Sequence, residues 1–143
     1  MRAYGGGRGV TDLPTTVRGP AVAAAASRPI NLVEVGVFNT TTTAFAVALV
    51  RFTAAGTPSG AATEVSADEG ITPVATVSLG NSGTATVGGP FSQASIGAAI
   101  GAGVIWTYGG SGLHAPAGTA NGFMLICPTG TGQFFDFYFV WDE

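Results

Sequence analysis

The sequence predicts an all-β protein, a β-sandwich or jelly roll of about eight short strands that follows an extended N-terminal arm. Short segments in which apolar and polar side chains alternate are separated by glycine, proline and asparagine, the pattern of strands joined by turns. The 143 residues include 23 glycines and 8 prolines, which disfavours long helices. Apolar residues make up 46% of the chain and charged residues 9%, and this balance excludes a disordered chain.

Residues 1–29 predict the extended arm, and residues 30–143 predict the β-sandwich domain. The first segment contains five glycines and three prolines and has no apolar periodicity. Such a segment lacks the side chains to build a core of its own. The change to alternating apolar residues after Pro29 marks the start of the domain.

The arm and the body differ in charge. Residues 1–29 carry four arginines and one aspartate, a net charge of +3, whereas residues 30–143 carry one arginine and seven acids, a net charge of −6. Because guanidinium groups pair bidentately with carboxylates, we expect the arm to leave its domain and to contact an acidic surface of a neighbouring subunit or of a shell beneath. A flexible tail with incidental charge is the alternative. The expected assembly contacts are Arg2, Arg8, Arg18 and Arg28.

The first two strands of the body are predicted by alternating side chains. One strand covers 31–38, and after a turn at 39–41 the second covers 42–53. The second strand has alanines on its other face, which implies the close approach of another sheet or another subunit. The residues expected to share the apolar faces are Val33, Val35 and Val37 in the first strand and Phe45, Val47 and Leu49 in the second.

Shorter strands follow between glycine-containing turns. The segments predicted as strands are 61–67, 71–79, 83–88, 102–108, 112–115 and 119–127, and one or two helical turns are predicted within 92–100.

The last strand, over 133–142, has the clearest pattern. Six of the eight residues from Phe134 to Trp141 are aromatic. Side chains this large need burial, so we expect the strand to lie in the centre of its sheet and to supply one side of the core. The residues predicted to share the core face are Phe135, Phe137, Phe139 and Trp141.

Few residues could carry catalysis or hold a metal ion. The chain has one histidine (His114), one cysteine (Cys127) and no lysine, which excludes lysine chemistry and an internal disulfide and leaves too few ligands for a zinc site. The serines within Gly80–Gly83 and Gly109–Gly112 have no base and acid at a suitable spacing, so we interpret both runs as turns. We predict no enzyme activity, no metal and no cofactor.

Membrane insertion and specific nucleic-acid binding are not expected either. The most apolar run, 94–106, has 13 residues, short of the roughly 20 that span a bilayer as a helix. The opening residues lack the continuous apolar stretch of a secretory signal. The body is acidic, whereas nucleic-acid binding needs a face with several cations.

A long part of the chain has no charge at all. From Gly70 to Phe135 there is no Asp, Glu, Lys or Arg. A surface without interspersed charge favours association. We therefore expect a homo-oligomer.

Four stretches resemble small structural proteins encoded among the virion genes of tailed bacteriophages. They are EVGVFNTTTTAFAVALVRFT (34–53), IGAAIGAGVIWTYGGSGL (96–113), GTANGF (118–123) and PTGTGQFFDFYFVWDE (128–143). The resemblance implies a β-sandwich or jelly-roll virion protein, a capsid decoration (cement) or minor head protein that is assembled in the host bacterial cytoplasm. It implies a symmetric homo-oligomer, with a trimer favoured, and other capsid or tail proteins as partners, and it brings no catalytic motif.

A tail-fibre module that binds a receptor or a carbohydrate is the alternative function. Exposed loop aromatics would support it, and Trp106 with Tyr108, beside Gly109 and Gly110, form the candidate cluster. The same two aromatics also fit a strand that enters the core, which is the interpretation we prefer.

Overall fold

Two antiparallel sheets pack face to face in the computed structural model, which describes residues 1–11, 19–83 and 85–143. This confirms the prediction of an all-β sandwich. The described residues form twelve strands rather than about eight. The strands are β1 (Arg2–Val10), β2 (Ala21–Ala23), β3 (Ile30–Asn39), β4 (Phe45–Ala54), β5 (Thr57–Ala61), β6 (Thr63–Ser66), β7 (Thr76–Ser82), β8 (Thr86–Ile96), β9 (Gly103–Thr107), β10 (Leu113–Ala115), β11 (Gly122–Thr129) and β12 (Phe134–Asp142).

Each sheet contains six strands. In the first sheet the order is β10, β3, β12, β1 and β6, with β9 beside β10 on the same edge of β3. In the second sheet the order is β5, β7, β2, β11, β4 and β8. None of the described segments is a helix with the length and hydropathy needed to cross a bilayer.

The main core lies between the two sheets and is rich in aromatic side chains. Strand β12 lies between β3 and β1, at the centre of the first sheet. Its alternate residues face the second sheet, and the rings of Phe137 and Phe139 meet edge to face with centroids 5.5 Å apart. The four residues that the sequence assigned to this core face have small exposed fractions: Phe135 0%, Phe137 4%, Phe139 0% and Trp141 0%.

The structure corrects the expectation of an extended arm. Residues Arg2–Val10 form β1, which pairs along its whole length with β12 and also with β6. Residues Ala21–Ala23 form β2 between β7 and β11 in the second sheet. Residues 12–18 of the predicted arm, which include Arg18, lie outside the described residues. Both ends of the chain therefore belong to the first sheet.

Glycines on β1 explain why the sequence pattern concealed this strand. Its inward positions are Ala3, Gly5, Gly7 and Gly9, directly opposite the aromatic row of β12. A Cβ atom on Gly5 would lie 2.7 Å from Val77 Cγ2, and one on Gly9 would lie 2.9 Å from Phe135 Cζ. The space that side chains would occupy on β1 is thus filled by Val77 and Leu79 of the facing sheet, by Pro20 and by the rings of Phe135 and Trp141. A strand whose core face is glycine shows no apolar periodicity.

Two further details differ from the sequence-based expectations. Residues 92–96 of the segment predicted as helical turns are the end of β8, which pairs with β4 and buries Ile96, and residues 97–100 lie in the loop that follows. In β3, a register shift against β12 leaves Val33 without a partner, so Leu32 and Val35 both enter the core. Such a bulge breaks the simple alternation of faces.

The first and last residues of the chain are hydrogen-bonded to each other, beside the paired strands β1 and β12. The amino group of Met1 donates to the Glu143 carbonyl oxygen at 2.9 Å, and the Glu143 amide donates to the Met1 carbonyl oxygen at 2.9 Å. The Glu143 carboxylate accepts hydrogen bonds from the amides of Val74 and Ala75 at 2.8 and 3.0 Å. These contacts fix both terminal strands and the 74–75 segment together.

Candidate assembly surface

Strands β1 and β12 present a matched set of side chains on the outer surface of the first sheet, which we call the β1/β12 face. Because the inward residues of both strands are fixed by the core, the alternate residues must point outward. Each outward residue of β1 lies directly opposite one of β12. The pairs are Arg2 with Asp142, Tyr4 with Val140, Gly6 with Tyr138, Arg8 with Asp136 and Val10 with Phe134.

Two arginine–aspartate pairs flank the middle of this face. Arg2 donates from Nε and Nη2 to the two carboxylate oxygens of Asp142 at 2.9 and 2.8 Å. Arg8 donates in the same way to Asp136 at 2.8 and 3.3 Å. These hydrogen bonds raise the pKa of both guanidinium groups above the usual value, and the pair with Arg2 lowers the pKa of the Asp142 carboxyl group.

The four arginines predicted as assembly contacts therefore have different environments. Arg2 and Arg8 bind carboxylates of their own domain, which corrects the expectation that they leave it. Arg28 is exposed between β2 and β3. Arg18 lies outside the described residues. The sequence pattern identified the residue type that forms bidentate pairs but not the partner, since the aspartates lie on the far end of the chain.

Tyr138 is held flat against the sheet, leaning away from β1. A Cβ atom on Gly36 would lie 2.1 Å from Tyr138 Cε1, so the ring covers that glycine. The Tyr138 hydroxyl donates to Glu34 Oε1 at 2.7 Å, and the ring is stacked on Phe38 with centroids 6.4 Å apart. Burial, together with the hydrogen bond to Glu34, raises the pKa of Tyr138 to about 12. The phenol is thus neutral under ordinary conditions.

The tilt of Tyr138 leaves a groove over Gly6. The groove has a volume of ≈ 370 Å³, and apolar side chains form most of its walls. Its floor is the backbone of β1, where the glycine contributes no side chain. The groove is lined by Tyr4, Gly5, Gly6, Glu34, Thr63, Val65, Tyr138 and Val140.

Large apolar side chains are exposed around this groove. Among the described residues nine large apolar side chains are exposed, and five of them lie on the outer surface of the first sheet. Clusters of exposed apolar side chains bounded by polar groups mark sites of association. The five, with their exposed fractions, are Tyr4 43%, Val10 45%, Val65 57%, Ile105 53% and Phe134 55%.

The aromatic cluster considered for carbohydrate binding does not form an exposed platform. Trp106 on β9 and Tyr108 after it both pack against the main core. The Tyr108 hydroxyl donates to Ser92 Oγ at 2.8 Å, and burial raises the pKa of that hydroxyl. The ring faces that would stack on a sugar are therefore partly covered.

The two glycine–serine runs differ in structure: residues 80–82 are the end of β7, paired with β5, which corrects the interpretation of that run as a turn. Gly109–Gly112 joins β9 to β10, with Gly109 and Gly112 at φ values of 69° and 63° that favour glycine. His114 is exposed, and its Nδ1 lies 3.0 Å from Asn31 Oδ1. Cys127 is buried in β11. Across the described ranges there is no group of three or more His, Cys, Asp or Glu residues that could hold a metal ion.

Sequence reasoning gave no role to Arg51, which has an unusual setting. Its guanidinium carbon lies 5.3 Å from the ring centroid of Phe91 and 5.6 Å from that of Phe123. Nη2 donates to the carbonyl oxygen of His114. A cation close to two rings gains cation–π attraction, so Arg51 joins β4 to its neighbours β8 and β11.

A second cavity lies on the outer side of the second sheet. Its volume is ≈ 630 Å³, and its walls are mostly alanine, glycine and small polar residues. Asn81 lines it and donates from Nδ2 to the Gly19 carbonyl oxygen at 2.7 Å. The lining contains no charged side chain, so this cavity has little to orient a polar ligand.

No protein-family model, curated protein or solved structure matches this chain. The fold class is established by the two packed sheets themselves. On the β1/β12 face the two arginines pair with the two aspartates, and large apolar side chains are exposed beside them.

Proposed function

We propose that the protein is a structural component of a bacteriophage virion, a capsid decoration (cement) or minor head protein that acts by oligomeric assembly. The observation that carries the proposal is the concentration of exposed apolar side chains on one face of a rigid sandwich with few charges. The chain has 5 basic and 8 acidic residues in 143. The resemblance of four stretches to phage structural proteins supports the same assignment.

The physical basis is the way such a surface behaves in water. Removing apolar area from water contributes about 25 cal/mol per Å², and a surface with little charge offers little electrostatic repulsion to oppose contact. Both terminal strands lie inside a sheet, so the exposed side chains are held on a fixed frame. A rigid partner loses little conformational entropy when it binds a shell or another copy.

The assignment includes partners and a location. The protein acts as a homo-oligomer that also contacts other capsid or tail proteins, and it resides in the virion after assembly in the host bacterial cytoplasm. The charge-free part of the chain, from Gly70 to Phe135, supplies neutral loops that add contact area without selecting a charged partner.

The experiment is to purify phage particles from cells that carry the gene and to measure the copy number of the chain in them by quantitative mass spectrometry. We expect many copies per particle that remain bound through a density gradient. Particles from a phage with the gene deleted provide the control for adsorbed protein. If the chain stays in the soluble fraction while other virion proteins sediment, the proposal is wrong.

A further inference from the structure

We propose that the β1/β12 face binds the same face of a second copy around a twofold axis that runs parallel to the strands, between β1 and β12. The inference concerns a contact between two copies in solution and does not depend on where the protein works. Its two supports are the arrangement of charge on the face and the complementary shape of the paired residues.

The charges form two columns of opposite sign. Both arginines, Arg2 and Arg8, lie on β1, and both aspartates, Asp136 and Asp142, lie on β12. A twofold axis parallel to the strands keeps each residue at its level along the strand and exchanges the two columns. Arg2 then faces Asp142 of the second copy, and Arg8 faces Asp136 of the second copy. Opposite charges meet at both ends of the contact.

The other face-to-face twofold arrangement is repulsive. An axis perpendicular to the strands places β1 over β1 and reverses its direction, so Arg2 faces Arg8 of the second copy. Asp136 then faces Asp142 of the second copy in the same way. Like charges that approach across an interface oppose binding. The charge pattern therefore selects the axis parallel to the strands.

Each arginine can serve both contacts at once. A guanidinium group carries five N–H donors, of which the pair within the chain uses two. The remaining donors of Arg2 point away from its own aspartate and remain available to the carboxylate of the second copy. The result at each end is a network of two arginines and two aspartates, and networks hold charged side chains better than isolated exposed pairs do.

Shape supports the same arrangement between the charged ends. The exchange of strands places Tyr138 over Gly6 of the second copy, where the groove of ≈ 370 Å³ is open. It also places Tyr4 over Val140 and Val10 over Phe134 of the second copy. The ring of Tyr138 lies flat on its own sheet, so it covers the groove of the second copy rather than filling it, and apolar side chains meet apolar side chains. Every outward residue of β1 is thus opposite a residue of matching chemistry.

The available area is close to that of a standard interface. Strand β1 has nine residues, which at roughly 3.4 Å per residue gives a length of about 30 Å. Five neighbouring strands at a spacing of about 4.8 Å give a width of about 20 Å. This footprint of about 600 Å², enlarged by the relief of the side chains, approaches the roughly 800 Å² per partner of a standard interface.

A twofold pair differs from the trimer that the sequence favoured. The trimer was expected from the resemblance to virion proteins and not from any residue contact. On the folded domain the columns of charge are complementary under a twofold operation, and a closed pair satisfies both of them. The expected particle is a dimer of two 14.2 kDa chains.

The first test uses sedimentation velocity to compare two variants, each with one apolar side chain replaced by glutamate. Val65→Glu adds a charge on the outer surface of the first sheet, at a side chain that is 57% exposed. Ile100→Glu adds the same charge in the loop between β8 and β9, at a side chain that is 73% exposed. We expect Val65→Glu to weaken the pair by roughly tenfold or more and Ile100→Glu to leave it unchanged. Equal effects, no effect, or a trimeric wild type would overturn the proposal.

The second test determines the direction of the axis. Arg8→Asp and Asp136→Arg should each weaken self-association, because each creates like charges that face each other across the axis. Mixing the two variants should restore a pair that contains one chain of each kind. If Arg8→Asp alone strengthens association, the axis is perpendicular to the strands and the proposed geometry is wrong.

These outcomes are separate from the proposed virion function. A chain that is bound to particles but pairs through another surface contradicts the face proposal alone. A chain that pairs through this face but is missing from particles contradicts the function alone. Circular dichroism of each variant is the control for folding. We expect native spectra, because all of the substituted side chains lie on the surface.

Discussion

Arg2 donates two hydrogen bonds to Asp142, a residue 140 positions later in the chain. The contact joins the first strand to the last and shows that the arginine-rich start of the chain belongs to its own domain. Arg8 and Asp136 repeat the arrangement further along the same two strands. The positive segment and the acidic C-terminal strand are thus neighbours within one sheet.

Deletion of residues 2–10 should abolish folding. Strand β1 fills the position between β12 and β6, and its Ala3 is fully buried. Its removal would expose the backbone of β12 and the aromatic row to water. We expect the shortened chain to lack cooperative thermal unfolding in differential scanning calorimetry. An arm that merely contacts a neighbour would leave a normal transition after deletion, and such a result would contradict the assignment of β1.

The control for this deletion removes the ion pairs and keeps the strand. The double substitution Arg2→Gln and Arg8→Gln leaves all backbone pairing of β1 intact. We expect this variant to retain one cooperative transition, because exposed ion pairs add little to stability.

Gly5→Ala should destabilise the fold although alanine is a better residue for most strands. The added Cβ atom would lie 2.7 Å from Val77 Cγ2 and 3.2 Å from Trp141 Cη2. Both neighbours are buried, so overpacking should cost about 1–3 kcal/mol of unfolding free energy. Gly89→Ala in β8 is the matched control, since no atom lies within 4 Å of its added Cβ. Urea unfolding curves that coincide for the two variants would show that β1 is not packed as described.

Phe139→Ala should remove a large part of the stability. The side chain is fully buried and its ring contacts that of Phe137 in the central strand. Deleting a buried phenylalanine ring typically costs about 3–5 kcal/mol. Ile100→Ala, at a side chain that is 73% exposed, should change the unfolding free energy by less than about 0.5 kcal/mol. A chain that ends at Phe134 and still unfolds cooperatively would show that β12 is peripheral.

Stability should fall at high pH because of Tyr138. Its pKa in the folded state is about 12, above the value of 10.0 for an unperturbed tyrosine. Between these values the folded chain keeps a proton that the unfolded chain has lost, so the free energy of unfolding decreases as pH rises. The contribution is fully present below pH 10 and is lost as pH rises through about 12. Tyr138→Phe should show a shallower decrease over this range in chemical denaturation.

The all-β class and the last strand could be predicted from the sequence because both follow from local alternation. The alternating aromatic residues from Phe135 to Trp141 indicate a buried strand without any information about the rest of the chain. Strand β1 could not be found in this way, because its core face consists of alanine and glycine. Its inward pattern becomes visible only beside the aromatic strand that it complements.

The β1/β12 face could not be predicted because it depends on register. Tyr138 meets Glu34 across 104 positions, and Gly36 lies beneath its ring. The arginines were recognised as residues that pair with carboxylates, but only the pairing of β1 with β12 identifies the aspartates. The bulge at Val33 similarly depends on β12 and leaves no mark in the sequence of β3.

The central claim is that this protein works by assembling through its apolar, charge-poor surface. Native mass spectrometry of the purified chain over a range of micromolar concentrations tests it most directly. We predict that the main species is an oligomer, with a mass of two or more times 14.2 kDa, and that its share grows with concentration. A single species of 14.2 kDa at every concentration would contradict the claim.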